Sequence, residues 1–197
     1  MATYKLTTPI SEEDARKLKV GDVVYISGHI FTSRDMAHLR LRELLEKGEP
    51  LPKDFQGAAV FHAGPVALKN DDGSWRLNVI GPTTSIRMEP HAEWIGQIGV
   101  KAVIGKGGMA EDTLRCAEKY GYVYLQAAPG CAAKLAGGVD RIVDVTWFEL
   151  GMPEALWDLE CTEFGPLVVG MDSHGNSVYK DLKEQAQKKI DEMYPAI

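Results

Sequence analysis

The chain has 197 residues, of which 45% are hydrophobic and 25% charged, a globular composition that suffices for one domain with a sizeable core. Its formal net charge of −6 argues against a nucleic-acid partner that would require a basic surface. No apolar run approaches the ~20 residues of a membrane span, and residues 1–5 do not resemble a signal peptide, so we expect a cytoplasmic protein with no membrane partner.

The first 80 residues alternate between helical and strand-like patterns. In chain order they predict a helix after Ser11 that ends by Gly21, a strand or hairpin segment at 22–31, a helix from 32 to Gly48 and a linker at 49–52. A buried strand at 58–62, a hairpin turn at 70–74 and a strand at 75–80, whose residues 77–80 are buried, follow. Ser11 precedes three acids and Ser33 precedes Arg34-Asp35, so both helices are expected to have a hydroxyl N-cap.

The remaining residues continue this alternation. They predict a helix within 81–97, a strand at 100–104 and a helix from Glu111 to Tyr120-Gly121. Strands are predicted at 123–125 and 140–148. A hairpin of 167–172 with 177–179 around the turn 173–176 and a charged amphipathic helix at 181–193 complete the prediction.

Two strand–helix units, 77–97 and 100–120, indicate a central parallel sheet, and hairpin-like segments near both ends indicate a second, partly antiparallel sheet. We therefore predict a single layered α/β domain over residues 1–197. Ligands of such sheets collect at the carboxyl ends of the parallel strands, which is where 81–84 and 105–108 fall.

The three cysteines, Cys116, Cys131 and Cys161, have neither an even count nor CxxC spacing, so they predict neither a disulfide framework nor a zinc site. Cys116 and Cys161 fit core positions. Cys131 follows a Gly/Pro stop and could begin a helix, although a structural role is favoured. The five histidines show no HExxH spacing, and we expect no metal ligand in this chain.

The stretch Gly81-Pro82-Thr83-Thr84-Ser85-Ile86-Arg87-Met88 separates a predicted strand from a predicted helix. Unpaired backbone N–H groups and the helix dipole make such a start a binding site for anions. If the first turn already includes Thr83 and Arg87, their i, i+4 spacing places hydroxyl and guanidinium on one face. An ordinary N-cap with a surface arginine explains this stretch, taken alone, equally well.

Gly105-Lys106-Gly107-Gly108 lies after a strand and matches G-x-G-x-x-A when extended to Ala110. The acid of a dinucleotide site, expected about 20 residues later, is absent. The stretch is not a P-loop either, because Gly107 replaces the Ser or Thr after the lysine. We interpret it as a tight turn that brings backbone and Lys106 to an anion.

Arg34 precedes His38 by four residues, which places both on one face of the predicted helix. A cation in a first helical turn opposes the helix dipole, so Arg34 is expected either to bind a carboxylate ligand or to pair with a local acid. His38 is interpreted as structural. His62, before Ala63-Gly64-Pro65, either lines the same strand-end crevice or is a satisfied core histidine.

Together these motifs resemble those of one known family. Four stretches occur in the order typical of class I fumarate hydratases, in their C-terminal domain or separate β subunit: Ser33-Arg34-Asp35-Met36-Ala37-His38, His62-Ala63-Gly64-Pro65, 81–88 and 105–108. The L-tartrate dehydratase β subunit is a close relative of that family. The resemblance covers roughly residues 22–146, and four ordered motifs are more specific than any one of them.

The resemblance implies a swivelling three-layer β/β/α domain that closes over a four-carbon dicarboxylate. It implies catalytic roles for Thr83, as the base, and for Arg34, with Thr84, Arg87 and Lys106 binding substrate. It further implies a [4Fe–4S] cluster held by a partner α subunit and not by this chain, in an αβ or α2β2 assembly.

Elementary chemistry agrees with several of these roles. A dicarboxylate requires fixed cations, and arginine offers carboxylates a bidentate geometry that lysine cannot. Loss of a proton beside a carboxylate builds further negative charge, so the same cations stabilise the transition state more than the substrate. A threonine hydroxyl has a very high pKa and requires such cations to act as a base.

The leading hypothesis is therefore the β subunit of a [4Fe–4S] hydro-lyase that reversibly hydrates fumarate to L-malate. The alternatives are an L-tartrate dehydratase β subunit and a non-catalytic anion-binding module of the same fold. Gly107-Gly108 stands where fumarases often have Gly-Asn, which leaves the diacid open.

Overall fold

The computed structural model describes residues 1–194; residues 195–197 of the predicted domain lie outside the described part. The strands are β1 (Thr3–Thr7), β2 (Val23–Thr32), β3 (Ala59–Phe61), β4 (Ala63–Lys69), β5 (Trp75–Pro82), β6 (Ala102–Gly105), β7 (Val123–Gln126), β8 (Val139–Thr146) and β9 (Leu156–Met171). The helices are α1 (Glu12–Lys17), α2 (Asp35–Lys47), α3 (Ala92–Gln97), α4 (Glu111–Tyr120), α5 (Ala132–Ala136) and α6 (Val178–Met193), with 3₁₀ turns at Ser85–His91 and Phe148–Leu150.

The main sheet is mixed, with the strand order β1-β2-β3-β6-β7-β9-β8. Strands β1, β2, β3, β6 and β7 are parallel to one another, and β9 is antiparallel to β2, β7 and β8. Because β9 pairs with both β2 and β7, the sheet closes on itself as a five-stranded, barrel-like unit. The predicted α/β class and central parallel strands are confirmed, whereas the closure was not predicted.

The central strands are buried on both faces. Phe61 and Ile104 belong to one hydrophobic cluster, while their neighbours Val60 and Val103 belong to the other, because successive side chains of a strand point to opposite sides. Helices α2, α3 and α4 cover the second cluster with residues such as Leu41. Full burial of one such large side chain stabilises the fold by about 1.5–3 kcal/mol.

The prediction that 77–97 adds a strand to the parallel sheet is wrong. Strand β5 pairs with β4 in a separate two-stranded antiparallel sheet, from Ala63 opposite Pro82 to Lys69 opposite Trp75. The short turn at 70–74 joins the two strands directly and so imposes this pairing. The predicted burial of 77–80 is also wrong in part, since Val79 is exposed.

The predicted hairpin of 167–172 with 177–179 is confirmed in its turn but wrong in its second strand. Strand β9 is 16 residues long, and its last residue, Met171, pairs with Ser177 in a single antiparallel bridge. Buried Asp172 accepts hydrogen bonds from the backbone of His174 and Asn176, which turns the chain. Ser177 then caps α6, so 178–179 are helical. Strand β1 was not predicted at all.

Within residues 1–194, no helix combines the length and the apolar character required to cross a membrane.

Candidate active site

Two loops meet where β3 and β6, neighbouring parallel strands, end. Thr83 N donates to His62 O over 2.7 Å, Ser85 N donates to Lys106 O over 3.0 Å, and Lys106 N donates to Thr83 O over 3.3 Å. Thr84 and Lys106 form an isolated parallel bridge. The structure thus brings both threonines next to Lys106. The backbone donors of Thr83 and Ser85, however, are already paired and are not the free anion donors that the sequence predicted.

The side chain of Ser85 is buried beneath these loops and is held by hydrogen bonds. Its buried Oγ lies 3.0 Å from His62 Nδ1 and accepts a hydrogen bond of 3.0 Å from the Tyr124 hydroxyl. A Cβ at Gly105 would lie 1.8 Å from that Oγ. Glycine is therefore required at position 105 for β6 to approach the Ser85 side chain this closely.

The turn after Gly105 is tight, as predicted. Gly107 and Gly108 have φ angles of +80° and +77°, which side-chain-bearing residues rarely adopt. A Cβ at Gly108 would in addition lie 2.6 Å from the ring of Tyr179. The turn therefore depends on glycine for its backbone conformation and for its contact with α6.

Arg87 joins this site through its guanidinium. Its Nη2 donates to Thr83 Oγ1 over 3.1 Å, so the hydroxyl and the guanidinium are in contact, although not as two positions of one helical turn. The helix differs from the expected one: it is a 3₁₀ turn whose N-cap is Thr84, so Thr83 precedes it. Arg87 also makes two parallel hydrogen bonds to the Asp35 carboxylate, of 3.0 and 2.9 Å.

Arg34 lies at the start of α2 and has an acid partner, Glu154, which is distant in the sequence and not the local acid of the predicted alternative. Its Nε is 3.1 Å from Glu154 Oε1, although the N–H does not point at that oxygen. Glu154 Oε2 accepts the backbone N–H of Met36 over 2.9 Å. The predicted hydroxyl cap of α2 is wrong, because Ser33 Oγ instead contacts His38 Nδ1 at 2.6 Å.

Three buried histidines, His38, His62 and His91, pack together beneath the site. The rings of His38 and His62 are 5.2 Å apart, and His91 is 5.2 Å from His38. Burial, followed by the neighbouring His62 and His91, lowers the pKa of His38 well below its usual value. Burial lowers the pKa of His62 to about 3. Both rings are therefore neutral near pH 7 and serve as packing and hydrogen-bonding groups.

We call Arg34, Thr83, Thr84, Arg87 and Lys106 the loop site. The contacts above connect these residues, since Arg34 is adjacent to Asp35, Asp35 binds Arg87, and Arg87 binds Thr83.

The sequence reasoning missed two carboxylates that bind the arginines of the loop site. Asp35 could have been found from its place directly after Arg34. No local sequence pattern indicates Glu154 as a partner of this region, because it is 118 positions from Met36, whose backbone N–H it accepts.

The cysteines do not fit an iron–sulfur cluster. Cys116 Sγ donates to Glu93 over 3.2 Å, and burial and this carboxylate raise its pKa to about 11. Burial raises the pKa of Cys161 to about 12. Iron is bound by thiolates, whereas these two thiols are protonated and belong to different hydrophobic clusters. Among residues 1–194, no three His, Cys, Asp or Glu side chains are grouped as a metal site.

Residues 2–182 match the sequence profile of the family described as Fumarase C-terminus. The chain belongs to this family. The resemblance inferred from four motifs is thus confirmed, and the match extends well beyond residues 22–146. Every residue of the loop site lies within the Fumarase C-terminus match.

Three curated relatives are similar to this family member. It is 48% identical over 186 residues to "Putative L(+)-tartrate dehydratase subunit beta" of Methanocaldococcus jannaschii, covering 93% of this chain and 95% of the relative. It is 45% identical over 187 residues to "L(+)-tartrate dehydratase subunit beta" of Escherichia coli K12, covering 94% and 91%. It is 42% identical over 186 residues to "Putative fumarate hydratase class I" of Geobacillus stearothermophilus, covering 94% of this chain but 35% of that protein.

Proposed function

We propose that the chain is the β subunit of a hydro-lyase that adds water to, or removes it from, a four-carbon dicarboxylate. The observation that carries this proposal is the contact of Arg87 Nη2 with Thr83 Oγ1, beside the Thr84–Lys106 bridge. It places a cation and a hydroxyl next to the backbone of Lys106, a second cationic residue, near the ends of parallel strands, where such folds bind ligands. Membership of the Fumarase C-terminus family and the names of the relatives support it.

In this proposal Arg34, Arg87 and Lys106 bind the two substrate carboxylates, and Thr84 contacts the substrate beside them. The Arg87 side chain is 44% exposed, so its guanidinium is accessible from solvent. Several fixed cations suit a dianion, and they stabilise the extra charge that forms when a proton beside a carboxylate is removed.

Thr83 is proposed as the base. Arg87 donates to Thr83 Oγ1, so the threonine oxygen accepts a hydrogen bond from a cation while its own proton remains free to point elsewhere. A hydrogen bond from a cation favours the deprotonated form of an acid and so lowers its pKa. This contact acts in the direction that a threonine base requires.

The proposed α subunit would supply the cluster ligands for which the cysteines of this chain are unsuited. These cysteines do not fit a cluster, and two relatives are named subunit beta, which implies an α subunit. We propose that the α subunit holds a [4Fe–4S] cluster and faces the loop site in an αβ or α2β2 assembly in the cytoplasm. The swivelling three-layer β/β/α arrangement and the single domain of 1–197 stay predictions; a swivelling motion against the partner would open and close the loop site.

The substrate is fumarate or L-tartrate. The sequence motifs favour fumarate, whereas the relatives at 48% and 45% identity are named for L(+)-tartrate and the one at 42% for fumarate. The higher identity to the relatives named for L(+)-tartrate makes this diacid the second candidate substrate.

The test is co-expression with the α subunit, anaerobic reconstitution, and turnover assays with fumarate, mesaconate and L-tartrate. We expect the pair to turn over one of these diacids and this chain alone to be colourless and inactive. No turnover by a cluster-loaded pair would favour the anion-binding module, and turnover by the iron-free chain alone would refute the subunit model.

A further inference from the structure

Asp35 binds the guanidinium of Arg87 within the loop site. Arg87 Nε donates to Asp35 Oδ1 over 3.0 Å, and Nη2 donates to Oδ2 over 2.9 Å. The same Nη2 donates to Thr83 Oγ1 over 3.1 Å. Two parallel hydrogen bonds fix both the direction and the rotation of a guanidinium, so the carboxylate determines how Arg87 meets the threonine.

Asp35 is itself well anchored. It is the first residue of α2, and the N–H of Met36 after it is held by Glu154 Oε2 at 2.9 Å. Burial opposes its ionisation, but hydrogen bonds from Arg87 and from its own backbone keep the pKa of the Asp35 carboxyl below its usual value. The carboxylate is therefore ionised near neutral pH and attached to a helix start that is hydrogen-bonded to Glu154.

The charge of Asp35 is unfavourable for the proposed substrate. A carboxylate beside an anion-binding site repels a dicarboxylate and offsets part of the charge of Arg87. Substrate affinity therefore does not explain its position. Geometry does, because an arginine side chain has many rotamers and an unpaired Arg87 would meet Thr83 in only some of them.

We propose that Asp35 is a positioning residue that holds Arg87 Nη2 against Thr83 Oγ1 before the substrate binds. The inference rests on the proposed function, since it assigns Asp35 a role in turnover. Removal of the carboxylate then lowers kcat, because the contact between guanidinium and hydroxyl is no longer held in the transition state. It does not raise KM, because a negative charge beside the dianion is removed.

The test is a double-mutant cycle in the reconstituted pair of subunits. Asp35→Asn, Arg87→Met and the double variant are compared with the wild type on the diacid that the wild-type pair turns over. We expect Asp35→Asn to lower kcat at least fivefold with KM unchanged or lower. Adding it to Arg87→Met should change kcat less than twofold, because Asp35 acts through Arg87. A purely structural role would multiply the two losses.

Two further variants distinguish the loss of the positioning role of Asp35 from a loss of folding. Asp112→Asn is the matched control, since it removes an exposed carboxylate 3.1 Å from Arg115, an arginine outside the loop site, and should leave kcat and KM unchanged. Asp35→Ser keeps a residue suited to a helix start but cannot make the bidentate pair. It should reproduce the loss if Asp35→Asn does not assemble.

A fall in kcat of less than fivefold, a rise in KM, or multiplied losses in the double variant would refute the role of Asp35 and leave the proposed function intact. A wild-type pair without turnover would instead refute the proposed function, and the role of Asp35 with it.

Discussion

Gly105→Ala is expected to destabilise the fold at the base of the loop site. The new Cβ would lie 1.8 Å from Ser85 Oγ, whereas ordinary contacts begin near 3.4 Å, so the hydroxyl must move by about 1.6 Å. The other close atoms, Ser85 Cβ at 3.2 Å and His62 Nδ1 at 3.3 Å, need to move only slightly to reach an ordinary contact distance. The side chain of Ser85 therefore takes most of the displacement.

The cost follows from what Ser85 Oγ binds. Rotating the hydroxyl away breaks its contacts with His62 and Tyr124, both buried, and each lost hydrogen bond contributes about 0.5–1.5 kcal/mol. Overpacking in a dense core adds about 1–3 kcal/mol. We therefore expect a loss of about 2–6 kcal/mol in the free energy of unfolding, which lowers Tm by about 4–24 °C for a chain of this size.

The assay is urea unfolding of the purified chain, followed by circular dichroism. Gly137→Ala is the matched control, because its nearest atom, the Lys134 carbonyl oxygen, is 3.3 Å away and its φ of −67° suits alanine. Gly105→Ala combined with Ser85→Ala should be about as stable as Ser85→Ala alone, since the 1.8 Å contact is then gone.

The reasoning would be refuted if Gly105→Ala changed the unfolding free energy no more than Gly137→Ala does. It would also fail if the losses of Gly105→Ala and Ser85→Ala simply added, because the two changes act on one contact.

Three further outcomes follow from the loop site. Arg87→Lys should lower kcat/KM of the reconstituted pair by roughly 10- to 150-fold, the equivalent of about 1.5–3 kcal/mol for one bidentate charge-assisted interaction; a change below threefold would remove Arg87 from the site. Thr83→Val should lower kcat more than it affects KM, and Thr84→Val should be milder; equal effects would make Thr83 a binding group rather than the base. Because burial holds the pKa of His62 at about 3 and that of His38 well below 6.5, the unfolded chain takes up protons that the native one does not, so stability should fall as pH drops from 6.5 towards 3. Urea titrations at pH 7, 6 and 5 measure this fall, and a flat profile would contradict it.

The local sequence determined much of this protein. The ends of α2 and α4 follow from Gly48 and Gly121, whose φ angles of 68° and 65° stop a helix. Thr83 and Arg87, which are in contact, are only four residues apart, although Thr83 lies outside the helical turn that the i, i+4 prediction required. The loops after β5 and β6 follow from apolar runs that end at Gly81-Pro82 and at Gly105. All of these features depend on residues within a few positions of one another.

Tertiary structure alone decided how the strands pair and what holds the arginines. Strand β9 closes the sheet because β2 and β7 both offer it an edge, and no local pattern specifies a partner that distant. Glu154 lies in the connection between β8 and β9, two paired strands, and reaches Arg34 from there across a long sequence separation. Side-chain periodicity reports which face of a strand is buried but not which strand lies beside it, so register and long-range ion pairs require the folded chain.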